Sequence, residues 1–246
     1  MYLFCIPHAG GSVIAYNAWK KHLNKTIELI PLELPGHMLR SQEKLVTDYQ
    51  IIIKDQCSKV LEIVQLTNEP YAIYGHSLGA VLVYYLYHEI VNEGGRPPCH
   101  LFVSGRWAPN IIKDFDEYPI DDMAEFKKFI INLEGIDAAL INNETMFNYF
   151  INIIYSDFIL LKQIPVLQEI KKINANLTFL RGLKDDSNPI DDGMEWRKYT
   201  NHNYSQYEVE GDHFFPTENL YETVKIINKE LEQYLCANEA DYQVLD

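Results

Sequence analysis

The chain has 246 residues, of which 47% are hydrophobic and 23% charged, which suits a soluble protein with a sizeable core and excludes a disordered or fibrous one. Thirty-five acidic residues stand against 21 lysines and arginines, a formal charge of −14, and no basic run is longer than a pair, so nucleic acid and anionic membrane are poor partners. The four cysteines (Cys5, Cys57, Cys99, Cys236) are scattered without a CxxC pair or a Cys/His cluster, so the expectation is reduced thiols and no metal.

From the first residue the chain reads YLFCIP (2–7), a short apolar strand with no basic leader before it, so no secretory signal is expected. No apolar run approaches the length of a membrane span, and a cytoplasmic protein is the simplest expectation. A helical pattern follows at 14–23, then a strand at 27–34, a helix at 46–66, a strand at 71–75 and a helix at 78–91. Strands recur at 100–105, 177–182 and 204–211, and a helix closes the pattern at 217–235. Several of these strands are apolar on both faces, as buried parallel strands are, and the strand–helix alternation predicts an α/β doubly wound sheet.

The alternation breaks once, between Arg106 and about Lys172, where no strand is predicted. A Pro/Asp-rich loop leads to a helix, MAEFKKFIINL, and a longer one, ETMFNYFINIIYSDFILLKQI, that is apolar on most sides. A surface helix needs one apolar stripe, so this one buries more than one face. It is either part of the core or a lid over a pocket for an apolar chain, and both descriptions can hold together. The expected organisation is one domain over 1–246 with a helical lid insertion at about 107–172.

The chemistry centres on Gly75-His76-Ser77-Leu78-Gly79, a GxSxG between a buried strand and a helix. A nucleophile on so sharp a turn requires small residues two positions to either side, because strand end and helix start approach too closely for a Cβ. A nucleophilic serine needs a base and the base an orienting acid, supplied on loops after later strands in the order acid, then His. His213, in GDHFFP after the last strand, fits the base; His202, ahead of that strand, reads as a solvated loop residue. The strand LTFLRG runs into LKDDSNP, so Asp185 or Asp186 fits the acid, Asp185 being preferred; Asp212 reads as a loop brace. An oxyanion hole needs backbone N–H groups. Leu78 follows from the turn itself, and a second comes from the PHAGGS loop (7–12), where His8 and Ala9 are the favoured donors.

The segments LFCIPHAGGS, LELPGH, YGHSLGA, SGRWAP, SDF, RGLKDD and VEGDHFF, spread in register over nearly the whole chain, resemble the type II thioesterases of nonribosomal peptide and polyketide synthesis, stand-alone α/β-hydrolases. The resemblance implies a Ser77, Asp185, His213 triad, a helical lid, and hydrolysis of acyl or aminoacyl thioesters from the phosphopantetheine arm of acyl or peptidyl carrier proteins. Transient docking is expected because carrier domains and this chain are both acidic, and a monomer with no cofactor of the enzyme's own is expected too. Three positions depart from the family pattern: His37 and Leu78 where Arg and Met are frequent, and Tyr155-Ser156-Asp157 where Arg-Ala-Asp is frequent. The alternatives are an acyl-CoA or fatty acyl thioesterase, a general carboxylesterase of the same fold, or a non-catalytic docking protein.

Overall fold

The computed structural model describes residues 1–112, 118–132, 141–186 and 190–242, with the backbone alone at 190–192 and 236–242. Six strands form one parallel sheet: β1 (Tyr2–Ile6), β2 (Glu28–Pro31), β3 (Tyr71–His76), β4 (His100–Ser104), β5 (Asn176–Gly182) and β6 (Tyr204–Val209). Their order is β2-β1-β3-β4-β5-β6, and each neighbouring pair is parallel. All six strands expected from the sequence are present.

Alternate residues of each strand feed opposite faces, which makes the sheet the middle of two cores. Phe4, Ile6, Tyr71, Ile73, Leu101, Val103, Leu177 and Phe179 pack on one side, against α1 (Tyr49–Val64) and α2 (Leu78–Asn92). Leu3, Cys5, Ala72, Tyr74, Phe102 and Leu180 pack on the other, against Val13, Tyr16 and Trp19 and against Val224, Ile227 and Leu231 of the C-terminal helix. The helix α1 begins where the Asp48 side chain accepts the N–H groups of Gln50 and Ile51, a side-chain cap.

The segment expected as a helix at 14–23 is a 3-10 helix over Val13–Lys21. The physical reason is its burial period. Val13, Tyr16 and Trp19 are the buried residues, three apart, which matches three residues per turn rather than 3.6. Trp19 Nε1 donates to the carbonyl of Pro216 at 3.0 Å and Tyr16 Oη to that of Ile6 at 3.2 Å, so the helix is fixed to both ends of the chain.

Between β4 and β5 the described residues contain no strand but two helices, α3 (Met123–Asn132) and α4 (Glu144–Gln163). Residues 113–117 and 133–140 of the expected lid lie outside the described residues. Helix α4 explains its own composition. Phe147 and Ile151 join Ile120, Phe126 and Ile130 in a separate apolar cluster, whereas Leu160 and Leu161 enter the main core. After β5 come α5 (Ile190–Trp196), β6, α6 (Phe215–Glu218) and α7 (Leu220–Tyr242). Among the described residues no helix is long and apolar enough to cross a membrane. Cys5, Cys57 and Cys99 are free thiols, and the Cys236 side chain lies outside the description.

Candidate active site

Ser77 leaves β3 and enters α2 at φ 54°, ψ −111°, the one non-glycine residue with positive φ among those described. Such a backbone costs about 1–3 kcal/mol and persists only where its surroundings enforce it. Here the enforcement is a close approach of three elements. A Cβ on Gly75 would lie 2.1 Å from the Gly79 carbonyl oxygen, and one on Gly79 would lie 2.4 Å from that of Ile6. The elbow therefore presses against the end of β1, which brings the loop that follows β1 beside the serine. The Ser77 N–H donates to the Ser104 carbonyl at 2.8 Å and fixes the elbow to β4 as well.

The acid and the base come together because β5 and β6 are neighbours that end level, with Gly182 opposite Val209. A Cβ on Gly182 would lie 2.2 Å from the Asp212 carbonyl oxygen, and the N–H groups of Leu183 and Lys184 donate to the carbonyls of Val209 and Gly211. The two loops are thus joined along their backbones. Asp185 is buried, and its Oδ2 lies 2.9 Å from His213 Nδ1. A carboxylate only accepts, so Nδ1 carries the proton and Nε2 presents a lone pair. Asp186 is exposed, as is His202, while Asp212 Oδ1 accepts the Phe214 N–H at 2.7 Å and braces the base loop.

His76 connects nucleophile and base. Its Nε2 lies 2.9 Å from the His213 carbonyl oxygen and its Nδ1 3.0 Å from Ser104 Oγ. The carbonyl can only accept, so Nε2–H donates to it and Nδ1 accepts from the Ser104 hydroxyl. Burial, and then the neighbouring His213, push the His76 ring well below the ordinary imidazole range, so it remains neutral. Ser77 Oγ makes no hydrogen bond to His213 among the described residues. The His76 and His213 rings are 4.9 Å apart, and in unliganded hydrolases the serine–histidine bond commonly tightens only with substrate.

Two of the N–H groups in the loop after β1 are already used. Gly10 donates to Asp157 Oδ2 at 2.6 Å, and Gly11 donates to the His8 carbonyl at 2.9 Å. Those of His8 and Ala9 have no acceptor among the described residues. Leu78 opens α2, so its N–H has no acceptor within the helix. The three expected donors are therefore open. The His8 side chain packs edge-on against His76 and Phe214, and burial followed by the charge on His213 lowers its pKa to about 4.

Residues 1–231 match the family model described as a thioesterase domain. The chain belongs to the thioesterase family. Two curated relatives share 30% identity with this thioesterase over 95% of its length: the gramicidin S biosynthesis protein GrsT of Aneurinibacillus migulanus, 90% of which is covered, and the linear gramicidin dehydrogenase LgrE of Brevibacillus parabrevis, 88% of which is covered. The second name describes that relative; the present sequence has no GxGxxG dinucleotide fingerprint. Among solved structures, ClbQ from the colibactin nonribosomal peptide and polyketide pathway superposes with a TM-score of 0.86 at 27% identity, covering 96% of this thioesterase and 98% of ClbQ. The parallel sheet with its serine elbow is the α/β-hydrolase fold.

One contact of the site had no signal in any local motif. Asp157 on α4 reaches the loop after β1, and His37 reaches Asp157. His37 and Asp157 lie in two of the segments that carry the resemblance, LELPGH and SDF, but nothing in either segment pairs them.

Proposed function

We propose that this thioesterase is a serine hydrolase that clears acyl and aminoacyl groups from the phosphopantetheine arm of carrier proteins, in editing or housekeeping of nonribosomal peptide or polyketide synthases. The observation that carries the reading is the 2.9 Å contact of His213 Nδ1 with buried Asp185, on a base loop tied by its His213 carbonyl to His76, the residue before Ser77. The relatives' names, gramicidin biosynthesis among them, supply the pathway class.

Ser77 Oγ attacks the thioester carbonyl as His213 Nε2 takes its proton, and Asp185 stabilises the imidazolium that forms. The N–H of Leu78, with that of His8 or Ala9, receives the developing oxyanion. A thiol of pKa about 8.5 leaves as thiolate with little help, so protonation of the leaving group matters less than for an amide. Water activated by His213 then cleaves the acyl-enzyme. The chemistry calls on no metal or redox group, and the pantetheine belongs to the substrate.

Helices α3 and α4 serve as the lid. Val81 lies one helical turn past Ser77 and lines a pocket with Trp107, Ile111, Leu161 and Ile164, where Arg106 is the one charged lining residue, and this is the place for the acyl chain. Carrier proteins are acidic and so is this chain, so docking depends on local contact rather than long-range attraction and is transient. The test loads one acyl group on a carrier protein, on CoA and on p-nitrophenol. Preference for the carrier, with Ser77→Ala inactive, is the expected result. Equal or faster turnover of the CoA or phenyl ester returns the fatty acyl or carboxylesterase alternative, and carrier left untouched by wild type and Ser77→Ala alike overturns the reading.

A further inference from the structure

Two residues outside the catalytic loops converge on the segment that offers the oxyanion donors. Asp157, on helix α4 and only 1% exposed, accepts the Gly10 N–H at 2.6 Å through Oδ2, and the same oxygen lies 3.0 Å from His37 Nε2. His37 is 2% exposed, and its other nitrogen, Nδ1, lies 3.1 Å from the Pro35 carbonyl oxygen. Both ring nitrogens therefore face acceptors. A carbonyl and a carboxylate offer no proton, so the ring satisfies both only by donating twice, as an imidazolium. That cation balances a carboxylate whose burial alone would cost several kcal/mol.

The clamp acts on a backbone that needs one. Gly10 has φ +74°, and a Cβ there would lie 2.3 Å from Ile154 Cγ1, one helical turn before Asp157 on α4. The Ala9–Gly10 peptide is fixed through Asp157 and the turn is closed through Gly11 N–H to the His8 carbonyl, while the His8 and Ala9 N–H groups stay free to donate. We propose that Asp157 and His37 are positioning residues: Asp157 holds the oxyanion loop to helix α4 through Gly10, and the His37 imidazolium holds Asp157. This rests on the serine thioesterase reading above.

The charged surroundings of His37 are few. Asp157 faces it from α4, and Glu33 faces it from the segment after β2, where Glu33 also accepts the Ser12 hydroxyl at 2.6 Å. Beyond Glu33 lies Arg40, which donates to the Glu33 carbonyl and pairs with Glu43 and Asp55. Burial by itself would lower the His37 pKa, but the bond to Asp157, its charge, the Pro35 carbonyl and the charge on Glu33 together raise it above the ordinary value. The imidazolium that the two acceptors call for is lost as pH rises through that raised pKa. The neutral ring keeps one proton, so it can donate to Asp157 or to the Pro35 carbonyl but not to both, and the charge that balances Asp157 is gone.

The experiment measures kcat and KM for thioester hydrolysis between pH 6 and 9.5 in wild type, Asp157→Asn and His37→Gln, with nitrogen-15 histidine NMR of wild type and His37→Gln. Asp157→Asn should lose about tenfold in kcat, with KM within about twofold, since mispositioning an oxyanion donor costs less than removing it. Wild type should lose kcat at alkaline pH, and His37→Gln should be slower but flat there. Wild-type spectra should show one doubly protonated imidazole at pH 7.5 that is absent from His37→Gln. Wild-type kcat in Asp157→Asn, a loss confined to KM, or no such imidazolium overturns the proposal. Ser77→Ala is run alongside: if it is inactive while Asp157→Asn is unaffected, only the clamp falls, and if it retains full activity, the serine reading falls with it.

Discussion

The sharpest test of the site separates two adjacent acids. Asp185→Asn keeps the volume of the side chain but turns an acceptor into a group that can offer its NH2 to His213 Nδ1. The imidazole then takes the other tautomer, with its proton on Nε2 facing Ser77, and it can no longer act as base. The charge is lost too. With about 4 Å between the carboxylate and the centre of an imidazolium, and an effective dielectric near 20, the pair contributes about 4 kcal/mol to the charged intermediate. That corresponds to roughly a thousandfold in kcat, before any further loss from the wrong tautomer. Asp185 is buried and its Oδ2 is 2.9 Å from the ring, so water cannot take its place, whereas Asp186 is exposed. Steady-state hydrolysis of a p-nitrophenyl ester and of an acyl-carrier substrate, with circular dichroism to confirm folding, reads the effect. Asp186→Asn should stay within about twofold of wild type. A fall of less than about tenfold in Asp185→Asn, or an equal fall in both variants, would refute the assignment.

Ser77→Gly removes the one positive-φ side chain, so it should abolish turnover and raise thermal stability by about 1 kcal/mol, since glycine adopts φ 54° without strain; an unchanged or lower melting temperature speaks against a strained elbow. Gly79→Ala puts a Cβ 2.4 Å from the Ile6 carbonyl oxygen, a contact with backbone that no rotamer relieves, and should destabilise by about 3 kcal/mol or prevent folding; a melting temperature within a degree of wild type contradicts this. His100 is buried against Phe102, and burial lowers its pKa from 6.5 to about 3. The unfolded chain therefore takes up a proton as pH falls below 6.5 while the folded chain does not, and at pH 5 this costs about 2 kcal/mol relative to pH 8. Denaturant melts of His100→Gln should show a shallower acid loss than wild type, and equal slopes exclude His100 as a source.

The sheet was legible because several of its strands are apolar on both faces, and a run such as Tyr71-Ala72-Ile73-Tyr74 is stable where both faces are covered. Ser77, Asp185 and His213 were legible for a different reason: each follows a readable strand, and the chain order of such loops is constrained by the fold. Asp185 is buried beside His213 whereas Asp186 is exposed, a difference that spacing could not show. The period of the segment at Val13–Lys21 was misread as 3.6 because three buried residues in nine suit either helix. The Asp157 clamp could not be read at all. Its partners lie 147 and 120 positions away, at Gly10 and His37, and no local pattern records a contact closed only by the packing of α4 over the loop.

Three imidazoles crowd the elbow, and the structure allows the charge on only one. His8 and His76 both lose basicity, first by burial and then through the His213 charge, which falls on both of them. His76 commits its Nε2–H to the His213 carbonyl and accepts from Ser104, so both of its nitrogens are occupied in the neutral form. His213 alone has a carboxylate on Nδ1. A cation arising at His213 during attack meets Asp185 on one side and neutral rings on the other, so the proton taken from Ser77 has no competing basic site among them. Were His76 protonated first, like charge with ring centres 4.9 Å apart would oppose the imidazolium that the reaction requires. The fourth ring, His37, lies beyond the loop with a carboxylate of its own, which lets it carry a charge without opposing the one at His213.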